Sequence, residues 1–254
     1  MNRRSLLVGA GTSFTALLAG CASSSDVDGG SRENEDSDGA ESSNNSGDSE
    51  SSPEESAEIE ILDHELVVEE GDFSTDVYVE ATVENTGEIP SGDIRLQSDW
   101  YDTDGNYLDN DTGRLASLGA GETWAARVYY LGTDAEDIEN YEIQGEYDES
   151  SYEEPEGVSL VESSMTVEEG DFGGSEVIIE GRVENESDED QDYVEVVATI
   201  YNGSGDVIGD EWANVTDLRA GETWAFDFSG FSAPVRNRAD QAEDHNIRIK
   251  TSPW

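Results

Sequence analysis

Cys21 is the residue whose chemistry the sequence places most clearly, because it is the only cysteine in the chain. It directly follows Leu18-Ala19-Gly20, and an arginine pair, Arg3 and Arg4, stands near the start of the sequence. Residues 8–18 between them are apolar or small throughout. A run of this length is well short of the ~20 residues needed to cross a bilayer as a helix. The segment therefore predicts an export signal with a nucleophilic sulfur at its end.

The residues around Cys21 resemble the lipobox of lipoproteins, in which the leader is cut before the cysteine and lipid alkylates the sulfur. The resemblance implies a leader over residues 1–20 and membrane attachment through lipid on Cys21. Arg3 and Arg4 resemble the twin-arginine signal that exports folded proteins. A plain secretory leader with an incidental thiol is the alternative. The lipobox reading predicts a cell-membrane protein that faces the exterior.

Residue types that serve in catalysis are scattered elsewhere in the chain. His64 and His245 lie far apart, and neither belongs to a recognisable motif. Adjacent acids such as Glu69 and Glu70 are expected by chance in a chain with 62 Asp and Glu residues. Exposed carboxylates also have no reason to acquire the shifted pKa that acid–base catalysis needs. We therefore predict that the protein is not an enzyme and uses no cofactor.

Oxygen-bearing side chains surround one glycine turn and make it a candidate calcium site. Asp102, Asp104 and Asn106 flank Gly105, and two further aspartates follow downstream. The spacing is not that of an EF-hand, because the glycine comes two residues early and no Glu closes the loop. In the corresponding turn one hundred residues later, Asn202 replaces Asp102. Hairpin turn chemistry is the preferred interpretation, and a calcium site is the alternative.

The sequence also contains Asn-X-Ser/Thr sequons, which are acceptors for N-linked glycans on exported proteins. Asparagine is common in turns for backbone reasons, so some sequons are expected to be accidental. The candidate glycan acceptors are Asn44, Asn110, Asn185, Asn202 and Asn214.

The formal charge is extreme. It is -50 for the whole chain, from 12 basic and 62 acidic residues, and loss of Arg3 and Arg4 with the leader changes it to -52 (10 minus 62). Lys250 is the only lysine. This composition resembles that of haloarchaeal proteins, whose carboxylate-rich surfaces remain hydrated in concentrated salt. A specific basic partner is the alternative, although the acids are spread along every segment. Such a charge excludes nucleic acid as a direct partner.

Residues 21–57 are predicted to be a disordered tether. Beyond Cys21 they are dominated by Ser, Asp, Glu, Gly and Asn, with no aromatic residue and Val27 as the one branched aliphatic. Nothing in the segment can offset an ordering entropy of about 1–2 kcal/mol per residue. A flexible coil of this length has an r.m.s. end-to-end distance of roughly 30–35 Å. The tether would hold the following domains away from the lipid surface.

The remainder of the chain is an internal duplication. Residues 77–85 return one hundred positions later as residues 177–185, and Gly121-Glu122-Thr123-Trp124-Ala125 returns as Gly221-Glu222-Thr223-Trp224-Ala225. Self-similarity at a fixed spacing indicates two homologous domains. We assign them to residues 58–150 and 157–254, joined by an acidic linker that contains Pro155.

Each repeat has the alternation of strands. Apolar residues recur at every second position, which places them on one face of a sheet. Together with the turn signals, the pattern predicts about seven strands per repeat and an immunoglobulin-like β-sandwich. The two Trp residues of the repeated Gly-Glu-Thr-Trp motif are predicted to be equivalent core residues. The predicted inward faces are Val77, Val79, Ala81 and Val83; Ile94, Leu96, Ser98 and Trp100; Trp124, Ala126 and Val128; and their counterparts Val177, Ile179, Gly181, Val183, Val194, Val196, Ala198, Ile200, Trp224, Phe226 and Phe228.

Both repeats resemble the FxLYD domain. The resemblance rests on an aromatic or apolar residue followed by Tyr before a Gly hairpin, on the later Gly-Glu-Thr-Trp, and on the upstream Val-Glu-Asn turn. The first repeat departs from the family in having Trp100 before Tyr101, and the second has Asn202 where Asp is usual. The family has no defined enzymatic activity and is found in extracellular lipoproteins. The resemblance therefore implies architecture and location, and the whole sequence resembles a haloarchaeal twin-arginine lipoprotein.

Two classes of function remain. The preferred one is a lipid-anchored surface protein that displays two non-catalytic β-sandwich domains, which bind a partner or contribute to envelope structure. Its expected partners are the membrane, through Cys21, and another envelope protein or a glycan. The alternative is a solute- or sugar-binding accessory of a transport or secreted-enzyme system. A solute-binding protein usually has two α/β lobes around a cleft, which this pattern does not predict.

Overall fold

The computed structural model describes residues 3–7, 55–71, 75–149, 154–170 and 174–252. Strands dominate these ranges, which confirms the prediction of an all-β protein built from β-sandwiches. Each repeat contributes six strands in the described ranges, rather than the predicted seven, arranged as two antiparallel sheets of three. The first strand of the chain, β1 (Arg3–Leu7), lies outside both sets of six.

The strands of the first repeat pack as one sheet on another. The sheet β2-β3-β6 faces the sheet β5-β4-β7, and β1 adds to the free edge of β7 in antiparallel register, with Arg3 opposite Asp148. A short 3-10 turn (Ala135–Asp137) precedes β7. The strands are β2 (Ile59–Glu70), β3 (Thr75–Asn85), β4 (Ile94–Asp102), β5 (Tyr107–Leu115), β6 (Thr123–Tyr129) and β7 (Ile138–Asp148).

The second repeat has the same topology. The sheet β8-β9-β12 faces the sheet β11-β10-β13. One helical turn, α1 (Ala233–Arg236), and a 3-10 turn (Ala239–Gln241) separate the last two strands. The strands are β8 (Val158–Glu169), β9 (Ser175–Asn185), β10 (Gln191–Asn202), β11 (Val207–Leu218), β12 (Thr223–Phe228) and β13 (Ala242–Lys250).

Alternation along the strands produces the two cores. Every residue of the predicted inward faces is buried except Trp224, which is half-buried. The two tryptophans occupy equivalent register positions, since Trp124 pairs with Val83 and Trp224 pairs with Val183. Strand β6 lies between β3 and β11, whereas β12 is at the edge of its sheet. The prediction of equal burial is therefore wrong for Trp224, because an edge strand leaves one side of its ring uncovered.

A buried asparagine ties the turns of each sandwich together. In the first repeat, the Asn85 amide donates to the carbonyls of Ile89 and Leu118, both at 2.9 Å, and its oxygen accepts from the backbone N–H of Glu58 and Gly87. The side chain is fully buried. Buried amides are stable only when their donors and acceptors are satisfied. This network explains why the Val-Glu-Asn turn recurs in both repeats.

The two repeats share one continuous sheet. Val207 at the start of β11 pairs in parallel with Trp124 of β6, which joins the sheets in the order β13-β10-β11-β6-β3-β2. The linkage uses an edge of each sandwich, so it covers backbone groups that would otherwise be open to another chain. The contact also places the outer face of β10, β11 and β13 against the turns of the first repeat.

Candidate functional site at the junction of the repeats

An insertion in the second repeat builds part of the junction. Val79 pairs with Val128 in the first repeat, and Ile179 pairs with Phe228 in the second, an offset of 100. At the last strand the offset becomes 104, since Ile138 corresponds to Ala242. The four additional residues lie in the segment that forms α1. Pro at the beginning of this turn suits a helix start, because its missing N–H has no partner there anyway.

Arg238, directly after this segment, connects the two repeats. Its side chain is 2% exposed, and its guanidinium donates three hydrogen bonds of 2.8 Å. The acceptors are the carbonyls of Pro234 and Ile208 in its own repeat and of Ala125 in the first. Burial, together with the nearby Arg127, lowers the pKa of Arg238 to about 10. This value is still well above neutral pH, so the group stays charged there. A buried charge with all three of its nitrogens bonded fixes the geometry of the groups around it.

Glu122 of the first Gly-Glu-Thr-Trp motif makes contacts both within its own turn and with the second repeat. Its Oε2 accepts from the N–H of Gly119 at 2.7 Å, which closes the turn before β6. In the second repeat, Glu222 accepts from Arg219 in the same way, at 3.1 Å. Glu122 additionally binds the second repeat: the Tyr201 hydroxyl donates to its Oε1 at 3.0 Å. A duplicated turn residue has thus become part of the interface.

Arg248 of β13 adds the third polar contact. Its guanidinium lies 3.8 Å from the Glu122 carboxylate and donates a hydrogen bond to the hydroxyl of Ser117. Both side chains of the ion pair are mostly covered by the surrounding junction. Screening by salt is weaker for such partly buried pairs than for exposed ones.

Asp210 contributes an acidic group at the same junction. Its carboxylate accepts a hydrogen bond from the N–H of Ala116 in the first repeat at 2.6 Å. Loss of hydration raises the pKa of Asp210 to about 7, and repulsion from Glu211 and Asp93 acts in the same direction. The Ala116 N–H and Lys250 oppose the shift. The protonation state of this interface therefore changes near neutral pH.

The residues predicted to serve in export and lipidation lie near the start of the chain. Cys21 and Asn44 lie outside the described residues. Arg3 and Arg4 belong to β1, opposite Asp148 and Tyr147 in the register with β7. No helix in the described ranges is both long and apolar enough to span a membrane.

The candidate calcium hairpin is organised by internal hydrogen bonds. One oxygen of Asp102 accepts from the N–H groups of Asp104 and Asn106, and the other accepts from the Asn106 amide. These donors hold the pKa of Asp102 below its usual range. Asn202 supports the second hairpin with the same two backbone contacts, to Ser204 and Asp206. Among the described residues, no three His, Cys, Asp or Glu side chains are grouped to hold a metal ion.

The structure separates the sequons by accessibility. Asn185 is fully buried, and its amide nitrogen donates to the carbonyls of Glu189 and Leu218 at 2.8 and 3.0 Å. This is a correction to its assignment as a candidate acceptor, because the nitrogen that a glycan would occupy is enclosed and already bonded. Asn110 and Asn214 are exposed, and Asn202 is half-buried in its hairpin.

The two histidines belong to corresponding contacts, His64 with Tyr141 and His245 with Ser163, although the sequence separates them widely. His64 lies opposite Ala81 in β3, and its counterpart Ser163 lies opposite Gly181 in β9. His64 Nδ1 is 2.6 Å from the Tyr141 hydroxyl, and His245 Nε2 is 3.0 Å from the Ser163 hydroxyl. Burial lowers the pKa of His245. Each histidine therefore links the two sheets of its sandwich rather than standing alone at the surface.

Neither a family model nor a curated protein matches the chain. Among solved structures, the chain is similar to a β-glucuronidase from glycoside hydrolase family 2, with 11% identity and a TM-score of 0.25 over 61% of this chain. A Bacteroides uniformis β-glucuronidase 2 gives 14% identity and a TM-score of 0.22 over 61% of this chain. The chain spans 20% and 21% of the length of these enzymes. Scores this low carry no argument about activity.

Proposed function

We propose that this chain is a lipid-anchored cell-surface protein that displays two coupled, non-catalytic β-sandwich domains. It acts by binding another component of the envelope or by contributing to envelope structure. Its attachment is the lipid on Cys21, and its FxLYD-like repeats face the exterior.

The junction is the observation that supports this function best. A fully buried Arg238, the Glu122 contacts and a shared sheet join the repeats as one body. Two domains on a flexible linker would have needed none of these contacts. A coupled pair presents its surfaces in a fixed relation, as a display or spacer element requires. Binding a partner then costs less conformational entropy, because the two domains are already held in place.

Cell fractionation of a Cys21→Ser variant tests the anchoring. The wild-type chain is expected in the membrane fraction, and the variant in the medium or as an uncleaved precursor. A Cys21→Ala variant should behave identically, because both lack the nucleophilic sulfur. Normal processing and membrane retention of both variants would refute lipidation at this residue.

Crosslinking in intact cells at native salt tests the partner. Lys250 is the only lysine, so amine-reactive reagents are unsuited to this surface. A carboxyl-directed dihydrazide reagent matches the 62 acidic residues instead. Recovery of one defined envelope protein with the wild-type chain, and its loss when the repeats are deleted, would support binding. Crosslinks confined to a transporter or secreted enzyme would favour the accessory alternative.

A further inference from the structure

One of the sequons in the described ranges differs in its surroundings from the other three. Trp212, Asn214 and Thr216 occupy alternate positions of β11 and therefore project from the same face. All three are exposed, Trp212 to 57%. Alternate residues of a strand are about 7 Å apart, close enough for a sugar on Asn214 to reach the indole. The sequence thus places an aromatic ring, an acceptor amide and the sequon hydroxyl in one exposed row.

The surroundings of Trp212 shape a platform. Val197 of β10 lies directly opposite Trp212 in the ladder and is buried, which gives the ring an apolar neighbour. Glu195 lies opposite Asn214 and pairs with Lys250 at 3.9 Å. The exposed ring of Trp212 offers a large apolar face with a polar N–H at one end. A pyranose can cover such a face, because its C–H groups pack against the aromatic ring while its hydroxyls remain hydrated.

The other described sequons lack this arrangement. The Asn185 amide is enclosed, the Asn202 amide nitrogen donates to the Asp206 carboxylate at 3.2 Å, and the Asn110 amide donates to the Tyr107 hydroxyl. Among the hydrogen bonds of the described residues, none engages the Asn214 side chain. Of the four sequons in the described ranges, Asn214 is therefore the one whose nitrogen reacts without breaking an existing hydrogen bond.

The strand that carries Asn214 can also be reached by an enzyme. From Gly209 to Leu218, β11 pairs with β10 in register, and its one register partner in β6 is at Val207. Bending residues 212–216 away from the sheet therefore disturbs a single ladder. A segment held by one ladder detaches at lower free energy than a segment held on both sides, because fewer hydrogen bonds hold it.

We propose that Asn214 carries an N-linked glycan and that Trp212 packs against its first sugar. In the transfer step, Asn214 Nδ2 forms a bond to the anomeric carbon of a lipid-phosphate-linked oligosaccharide. The bond between that carbon and the phosphate oxygen breaks, the lipid phosphate leaves with the electron pair, and Nδ2 loses one proton to a base of the transferase. The product covers the exposed indole. This inference rests on the proposed export, because the acceptor must meet the transferase outside the cytoplasm.

Peptide mapping of the full-length chain from its own host tests the site. Cleavage after glutamate releases residues 212–222, which contain Asn214 as their one sequon. The peptide is expected to carry a glycan in the wild type and in Thr216→Ser, which keeps the sequon. Thr216→Ala and Asn214→Gln should lose the glycan mass. An unmodified 212–222 peptide from exported protein would overturn the inference and leave the proposed function intact, whereas protein confined to the cytoplasm would overturn both.

Oxidative footprinting tests the platform. Trp212 should be protected from hydroxyl radicals in the glycosylated wild type and should lose that protection in Asn214→Gln. Tyr107, which is 52% exposed in the other repeat, is the control and should oxidise equally in both. Equal oxidation of Trp212 would overturn its role as a platform. Protection of Trp212 in Asn214→Gln by a free oligosaccharide would overturn it too, and would assign the ring to external sugars.

Discussion

The Nη1 atom of Arg238 lies 2.8 Å from the carbonyl oxygen of Ala125, so a buried cation of the second repeat is bonded to the backbone of the first. Ala125 is in β6, the strand that pairs with β11 of the second repeat. The side-chain contact and the shared sheet therefore act on the same strand. Loss of the guanidinium would leave the three carbonyls that accept hydrogen bonds from it without their donor.

Arg238→Met is expected to uncouple the repeats. The variant leaves three buried carbonyls without their charged donor, at roughly 1.5–3 kcal/mol for each bond of this kind, although the losses are not additive. We expect a total loss of at least about 3 kcal/mol and two separate transitions in urea at high salt, where the wild type shows one. Arg236→Met removes an exposed arginine from the adjacent helix and is the matched control. One unchanged transition in both variants would show that Arg238 does not couple the domains.

Asp210 is expected to make the junction sensitive to pH. Its pKa rises from 3.8 in the unfolded chain to about 7 in the folded one, so folding takes up a proton between these values. The destabilisation is fully present above about pH 7 and disappears below about pH 4. Asp210→Asn should therefore stabilise the protein by up to about 4 kcal/mol at pH 8 and leave it unchanged near pH 4.

The control for Asp210 is Asp192→Asn, which removes one negative charge from an exposed position of β10. Both variants relieve general repulsion equally, so their difference isolates the junction. Urea unfolding at fixed salt from pH 4 to pH 8 measures it. Parallel curves for the two variants would mean that the Asp210 carboxylate is hydrated in the folded protein.

A feature of this fold can be predicted from the sequence when residues close together in the chain determine it. Alternation placed Val79, Ile94 and Val196 in the core correctly, because the two-residue period of a strand is local. The sequence does not predict the junction, because no local pattern indicates which surface of one repeat contacts the other. One feature of the sequence does indicate a special role for Arg238. It lies next to a four-residue insertion, with a second arginine nearby, in a chain that has few basic residues.

Equivalent sequence positions also fail to guarantee equivalent environments. Trp124 and Trp224 share a motif and a register, yet the strand of Trp124 is enclosed by a neighbour that the other strand lacks. Asn185 shows a second way in which a motif misleads. Its Asn-X-Ser pattern falls by chance on the buried asparagine turn that both repeats use. Short motifs report chemistry, and only the packing decides whether that chemistry is accessible.

The two tryptophans should respond differently to truncation. Trp124 is 2% exposed, so Trp124→Ala should destabilise its repeat by about 3–5 kcal/mol, as large core truncations do. Trp224→Ala removes a half-buried ring from an edge strand and should have a clearly smaller effect. The two variants are each other's control and are compared by urea unfolding at molar salt. Equal losses of stability would mean that truncating the half-buried Trp224 costs as much as truncating the buried Trp124, so the position at the sheet edge does not reduce the cost.

Salt is expected to control the stability of the whole duplicated region. Residues 58–254 contain 51 acidic and 9 basic residues, a formal charge of -42 (9 minus 51). Folding brings these carboxylates closer together than they are when unfolded, so weak screening destabilises the native state selectively. The screening length is about 3 Å in molar salt and about 10 Å at 0.1 M. The melting temperature of residues 58–254 should therefore fall as salt is diluted over this range. Sucrose at matched osmolality is the control, because it favours burial without screening charge. If sucrose restores the melting temperature as fully as salt does, or if dilution has no effect, charge repulsion is not what limits the stability of this protein.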